Sequence, residues 1–112
     1  MGEINEIIEV LVNFRNERDW AQFHDSKNLA IALSIEASEL NELFLWKDSI
    51  ESENVDKSKV KEELADILAY ALLLAEKNNF NVKEIILDKV KKNNLKYPVD
   101  KSKGTSKKYN EL

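Results

Sequence analysis

The sequence predicts an all-α protein built as a four-helix-bundle-type domain. Apolar residues recur at the three- and four-residue spacing of amphipathic helices, and no alternating strand pattern is present. Only 2 Gly and 1 Pro occur in 112 residues, too few turn-forming residues for a many-stranded sheet. The length suits one domain, and the absence of Cys excludes disulfides and thiolate metal sites.

Four segments carry the helical pattern. Their predicted bounds are 3–17, 28–46, 58–78 and 82–95. The third segment is apolar nearly all round in its second half, so we expect it to be the central and most buried helix. Asn81 followed by Glu84 predicts an N-cap box at the start of the fourth helix. Pro98 is typical of a chain leaving a helix.

Two stretches outside these helices are expected to be irregular. An acidic loop is predicted over residues 48–56, and residues 99–112 are expected to form a polar, Lys-rich tail that is extended or partly mobile. We therefore assign the domain to residues 1–98 and the tail to residues 99–112. The basic tail is either a solvated end or a segment that lies over a bound anionic ligand.

Charge and apolar runs limit the partners of the chain. The 21 acidic and 17 basic residues give a net charge of −4, and the basic residues concentrate at the C-terminal end. The body is therefore acidic, which argues against duplex nucleic acid as a partner. The longest apolar run, residues 67–75, is far shorter than the roughly 20 residues of a membrane span, and no secretory signal is visible. We expect a cytoplasmic protein with no membrane partner.

Two pairs of carboxylates stand inside the second and third predicted helices. Glu36 and Glu39 form one pair, and Glu63 and Asp66 form the other. Residues three apart share a helix face. Glu36 falls in the middle of the apolar stripe of its helix, and Glu63 falls beside Ile67 on the next. A buried carboxylate is costly without a cation, so we expect a metal ion or a Lys or Arg partner.

The ligand chemistry of these pairs favours Mg²⁺ or Mn²⁺. If the two helices face each other, the four carboxylates supply hard oxygen ligands. A di-iron site would need Glu-x-x-His pairs, and the single histidine, His24, is not in one. Zinc is disfavoured by the same shortage of His and Cys. The alternative is a set of solvated or salt-bridged acidic faces, which we expect for Glu42, Glu62 and Glu76.

Aromatic and basic residues surround these motifs. Trp20, Phe23 and His24 precede the second predicted helix, and Trp46 with Lys47 closes it. Such aromatic side chains could stack on a nucleobase, and the alternative is ordinary packing between helices. Three lysines are candidates to neutralise phosphate oxygens: Lys47, Lys89 and Lys96. The alternative for each is an ordinary solvated surface lysine.

Five motifs follow one another along the chain. They are Arg18-Asp19-Trp20-x-x-Phe23-His24, Glu36-x-x-Glu39, Trp46-Lys47, Glu62-Glu63-Leu64-Ala65-Asp66 and Asn93-x-x-Lys96-Tyr97-Pro98. This series resembles the MazG-like nucleotide pyrophosphohydrolases of the all-α NTP pyrophosphatase superfamily, and most closely the small dCTP pyrophosphatase branch. The resemblance implies an all-α domain that assembles as a dimer or a dimer of dimers.

The resemblance also implies an activity and a set of site residues. The reaction would be hydrolysis of a dCTP-like nucleoside triphosphate to the monophosphate and pyrophosphate, dependent on Mg²⁺, with Mn²⁺ as the alternative ion. The implied catalytic and metal-binding residues are Glu36, Glu39, Glu63 and Asp66. The positions matching the nucleotide site are Trp20, His24, Asn28, Trp46, Lys47, Tyr70, Lys89, Asn93 and Tyr97.

A hypothesis from another class remains open. The chain could be a non-catalytic helical dimerisation module whose acidic face binds a metal ion or a partner. The aromatic and basic residues around the acids favour the enzyme, because a pure interaction module has no need of them.

Overall fold

The computed structural model describes residues 2–112 of the chain. Within those residues it contains helices and turns but no strand, which confirms the all-α prediction. The α-helices are α1 (Glu3–Glu17), α2 (Ser26–Glu42), α3 (Ser49–Glu53), α4 (Lys57–Lys77), α5 (Val82–Lys96) and α6 (Val99–Ser102). Short 3₁₀ turns occupy Ala21–Phe23 and Tyr109–Glu111. No helix of the described part of the chain is long and apolar enough to cross a membrane.

The chain divides into two compact units, the first ending at Asn79 and the second beginning at Phe80. In the first unit α4 packs along α2 and also contacts α1. The buried apolar side chains among residues 2–112 are Leu29 on α2 and Leu73 and Ala75 on α4. The helix predicted to be central is therefore the one that both of its neighbours contact.

Capping side chains mark where several helices begin, and α2 and α5 are two of these. The Asp25 Oδ1 atom accepts a hydrogen bond from the backbone N–H of Asn28 at 2.7 Å, so α2 begins at Ser26, earlier than the predicted residue 28. The Asn81 Oδ1 atom accepts from the backbone N–H of Glu84 at 3.0 Å. This second bond is the N-cap of α5 that the sequence predicted.

The second helix ends earlier than predicted. It stops at Glu42 rather than at residue 46, because the backbone N–H of Leu43 and those that follow bond to carbonyls three residues back. Trp46 then adopts a positive φ of 63°, a conformation that L-amino acids rarely take. The apolar spacing continues through these turns, although the helix does not.

Two segments predicted to be irregular contain short helices. In the acidic segment 48–56, the Asp48 Oδ1 atom accepts from the backbone N–H of Glu51 at 2.8 Å and begins α3 through a capping box. In the segment predicted as an extended tail, Pro98 precedes α6, and Gly104 allows a turn with a positive φ of 80°. The division into a domain over 1–98 and a tail stays a prediction.

Candidate active site

Three glutamates from α2 and α4 converge in the first unit. Carboxylate oxygens of Glu36, Glu39 and Glu63 all lie within 4.8 Å of one another. The packing of α4 along α2 therefore brings the two predicted acidic motifs together. The Oε2 atoms of Glu36 and Glu63 are buried, and neither has a hydrogen-bond partner within the described residues. Such oxygens are costly unless a cation compensates them.

The close approach of these groups changes their protonation. Burial raises the pKa of Glu36 to about 7, and the neighbouring Glu39 carboxyl, then the charges of Asp66 and Glu63, add to the increase. Burial is also the main cause that raises the pKa of Glu63, followed by the Glu39 carboxyl. Like charges disfavour each other's ionised form, so the cluster is prepared to take up protons or a cation.

Asp66, the fourth predicted ligand, lies outside the group of three close oxygens. Its side chain is exposed, one turn after Glu63 on α4. Its charge nevertheless contributes to the raised pKa values of Glu36, Glu63 and Tyr70, so it stands at the border of the cluster. Its direct binding to a metal ion stays a prediction.

A cavity of about 250 Å³ has Asp66 in its wall. It is lined by Leu11, Phe14, Arg15, Trp20, His24, Asp66, Ala69, Tyr70 and Leu73. Neighbouring rings form much of its wall: the ring centroids of Phe14 and Trp20 are 5.8 Å apart, and those of Trp20 and His24 are 6.5 Å apart. The His24 and Tyr70 centroids are also 6.5 Å apart. The cavity is therefore an aromatic one, and it contains three of the predicted nucleotide-site residues.

Tyr70 joins the aromatic cavity to the glutamate cluster. Burial raises the pKa of Tyr70, and the charges of Glu36, Asp66 and Glu39 raise it further. Tyr70 and Asp66, one helical turn apart on α4, both line the cavity, so the wall of the cavity runs from the aromatic rings to the second acidic motif. A ligand in the cavity would consequently reach toward the cluster past Tyr70.

The cavity wall contains the imidazole of His24 and the positively charged guanidinium of Arg15. The Nδ1 atom of His24 is buried and has no partner within residues 2–112. Burial lowers the pKa of His24, and the positive charge of Arg15 lowers it further, so both effects favour the neutral imidazole. The Arg15 Nη1 group donates to the Glu76 Oε2 atom at 3.3 Å.

The sequence analysis missed Arg15. The signal that could have found it is its position four residues after Leu11, on the face of α1 that also holds the half-buried Ile8. A charged residue on the apolar stripe of a helix indicates a candidate functional position, and this holds for Arg15 on α1 as it does for Glu36 on α2.

Three predicted residues of the first unit lie outside the cavity. The Asn28 Nδ2 group donates to the backbone carbonyl of Phe23 at 3.0 Å, so this amide supports the turn before α2. Trp46 is 92% exposed. Lys47 lines a separate, open groove of about 490 Å³. The nucleotide contacts predicted for these residues stay predictions.

The remaining predicted residues belong to the second unit. Lys89 is exposed and Asn93 is half-buried, both on α5. The ring centroid of Tyr97 lies 6.2 Å from that of Tyr109 in an edge-to-face contact. Their contacts with a nucleotide also stay predictions.

Comparison with known families decides the membership of the chain. The model of the MazG-like family matches residues 31–112. The chain belongs to the MazG-like family. The resemblance inferred from the five sequence motifs is therefore confirmed.

Relatives extend this MazG-like likeness over nearly the whole chain. The dCTP pyrophosphatase 1 of Rattus norvegicus is 35% identical over 97% of this chain and 67% of its own length. The Bos taurus protein of the same name is 37% identical over 97% of this chain and 68% of its own length. A crystal structure of a pyrophosphatase from Archaeoglobus fulgidus matches with a TM-score of 0.82 and 38% identity, covering 88% of this chain and 94% of that one.

Proposed function

We propose that this chain is a Mg²⁺-dependent nucleoside triphosphate pyrophosphohydrolase that converts a dCTP-like triphosphate to the monophosphate and pyrophosphate. The observation that carries the proposal is the convergence of Glu36, Glu39 and Glu63, together with an aromatic cavity whose wall contains Asp66 of the second acidic motif. A base held in the cavity would direct its phosphates past Tyr70 toward the carboxylates. Membership of the MazG-like family and similarity to dCTP pyrophosphatase 1 support this reaction class.

The donor set of the cluster fits a hard divalent cation. Glu36 and Glu63 each keep a buried oxygen without a partner, and Glu39 supplies a third oxygen within reach of both. We propose Asp66 as the fourth ligand. Carboxylate oxygens suit Mg²⁺ and Mn²⁺, whereas the chain has 1 His and no Cys to offer a softer ion. Bound Mg²⁺ would neutralise phosphate charge and lower the pKa of the attacking water.

The residues of the chain have separable tasks in this proposal. Trp20, His24 and Tyr70 hold the base and sugar, because aromatic faces stack on any base. A carboxylate oxygen of Glu36 or Glu39 that the ion does not use accepts the proton of the attacking water. No covalent intermediate is needed, since positioning and charge neutralisation supply most of the acceleration in phosphoryl transfer.

The test is incubation of the purified protein with each dNTP and NTP in Mg²⁺, with products identified by ion-exchange chromatography. We expect a monophosphate and pyrophosphate, and no turnover in EDTA. A diphosphate with orthophosphate would refute the cleavage position, and full activity in EDTA would refute the role of the metal. No turnover of any nucleotide would favour the alternative of a non-catalytic dimerisation module with an acidic binding face.

We further propose that the chain is a homo-oligomer, either a dimer or a tetramer. Ile31 and Ile35 on α2 are 50% and 53% exposed, and Leu64 and Leu68 on α4 are 45% and 53% exposed. Each pair is one helical turn apart, so both helices present an apolar stripe, and exposed patches of this kind mark interfaces. Sedimentation equilibrium should give at least a dimer, and an active monomer of 13.0 kDa would refute the proposal.

Other parts of the sequence interpretation are kept as proposals. We propose that Lys89, Asn93 and Tyr97 contribute to nucleotide binding, as the family resemblance implies. A cytoplasmic location, with neither duplex nucleic acid nor membrane as a partner, also stays a prediction.

A further inference from the structure

The cavity wall contains a positive charge that the proposed chemistry does not use. Arg15 lies in the last turn of α1, lines the aromatic cavity, and has a side chain only 13% exposed. Its Nη1 group donates to Glu76 at 3.3 Å, and its Nε group donates to the Oδ1 atom of Asn16 at 3.1 Å. A guanidinium has about five N–H donors. Within residues 2–112 the remaining donors, including those of Nη2, have no acceptor.

Hydrogen bonds tie both the backbone and the side chain of Arg15 to its neighbours. Its backbone carbonyl accepts from the backbone N–H of Arg18 at 3.2 Å and from that of Trp20 at 3.1 Å. Its side chain is tied to α4 through Glu76. The bonds of Nη1 to Glu76 and of Nε to Asn16 limit the orientation of the guanidinium, so binding through its remaining donors costs less conformational entropy.

We propose that Arg15 is a specificity-determining residue that donates hydrogen bonds to the base of the substrate, and that Glu76 positions it. This inference rests on the proposed function, because it places the base in the aromatic cavity. The volume of about 250 Å³ lies just below that of pockets for drug-sized ligands, which is roughly 300–1,000 Å³. Such a volume suits a base better than a whole triphosphate.

The chemistry of the guanidinium favours the edge of cytosine. The group presents only donors, in a planar fork that matches two adjacent acceptors. Cytosine offers such a pair in its N3 and O2 atoms. In thymine and uracil an N3–H donor stands between the two carbonyl oxygens, so the fork would set donor against donor. Guanine also offers an acceptor pair, O6 and N7, and therefore belongs in the test.

The test compares kcat/KM for dCTP, dTTP, dUTP and dGTP in the wild type and in substituted proteins. We expect the wild type to prefer dCTP. Arg15→Met should lower kcat/KM for dCTP by about 10- to 100-fold, the size of a good bidentate contact to a base, and change the values for dTTP and dUTP far less. Arg15→Lys keeps a charge for Glu76 but lacks the fork, so it should lose the preference while retaining the fold. Glu76→Gln should also lower kcat/KM for dCTP, by a smaller factor than Arg15→Met.

Controls separate this inference from the proposed function. Lys77→Met removes an exposed cation next to Glu76 and should leave all values unchanged. Calorimetric binding of dCMP and dTMP repeats the comparison without chemistry. Three outcomes would overturn the inference and leave the proposed function standing. They are equal losses of kcat/KM for all four triphosphates in both Arg15 variants, a preference for dCTP that persists in Arg15→Lys, and a wild-type preference for another base. Arg15-dependent binding of dCMP without any turnover would support the inference and overturn the proposed function.

Discussion

Replacing Glu36 by Gln should stabilise the metal-free protein at pH 8 more than at pH 5. In the folded protein burial, with the Glu39 carboxyl and the charges of Asp66 and Glu63, raises the pKa of Glu36 from 4.5 to about 7. The folded state therefore holds more protons than the unfolded state between these two values. The stability contributed by this carboxyl is complete below pH 4.5 and is lost as the pH rises through 7. Gln has no ionisable proton, so the variant keeps this stability as the pH rises.

The size of the effect follows from the shift and from the exposure of the group. If the whole pKa shift of Glu36 were converted into free energy of unfolding, the difference would be roughly 3 kcal/mol. Because Glu36 is only half-buried, solvent screens its repulsion from the neighbouring carboxyls, and we expect about 1 kcal/mol at pH 8. For a domain of this size such a gain raises Tm by about 4 °C. At pH 5 the gain should be close to zero.

Thermal unfolding in EDTA, followed by far-UV circular dichroism, measures the difference. Protein concentrations must match, because assembly would make Tm depend on concentration. Glu42→Gln, at an exposed position of α2 outside the cluster, is the matched control and should gain nothing. Mg²⁺ should reverse the order, because it stabilises the wild-type cluster most. A Glu36→Gln protein less stable than the wild type at pH 8, or one that gains equally at both pH values, would refute the electrostatic reasoning.

Three other substitutions test separate parts of the structure. Glu63→Gln should lower kcat by orders of magnitude with the far-UV spectrum unchanged, because it removes one cluster oxygen; near-normal turnover at saturating Mg²⁺, like that expected for the control Glu62→Gln, would remove Glu63 from the site. Asp25→Ala should lower the unfolding free energy by about 1 kcal/mol, because the backbone N–H of Asn28 loses its acceptor; an unchanged urea midpoint would contradict this. Leu68→Glu should produce smaller species in sedimentation velocity, since it charges the exposed stripe of α4; an unchanged profile would place the interface elsewhere.

The helices could be predicted where the apolar period was uninterrupted, and their ends only where a local side chain marked them. The start of α2 depends on the cap by Asp25, which precedes the first apolar residue of the stripe. The predicted helix extended past the true end of α2, because the apolar spacing continues while the backbone turns at Trp46. The helix α3 is too short to show a period, and only the capping box of Asp48 and Glu51 carried a signal for it.

The candidate site could be predicted where a charge interrupts an apolar stripe. Glu36 is such a residue, and the structure gives it a buried oxygen without a partner. Arg15 has the same signature on α1, since a charged group that is largely removed from water is costly without partners, and its side chain is only 13% exposed. Its partner, Glu76, could not be predicted, because their pairing depends on how α1 packs against α4 and no local pattern encodes that contact.

The helix α4 also sets the direction in which a nucleotide would lie. Glu63 contributes to the carboxylate cluster, Tyr70 lines the cavity two turns later, and Glu76 holds Arg15 beyond it. At 1.5 Å per residue the step from Glu63 to Tyr70 spans about 10 Å, comparable to the distance between the base and the phosphates of an extended nucleotide. The reverse orientation would set the phosphates against aromatic rings and against Arg15, whose charge Glu76 already partly neutralises. Burial, charge and helix geometry therefore favour the same arrangement, with the base toward Arg15 and the phosphates toward the glutamates.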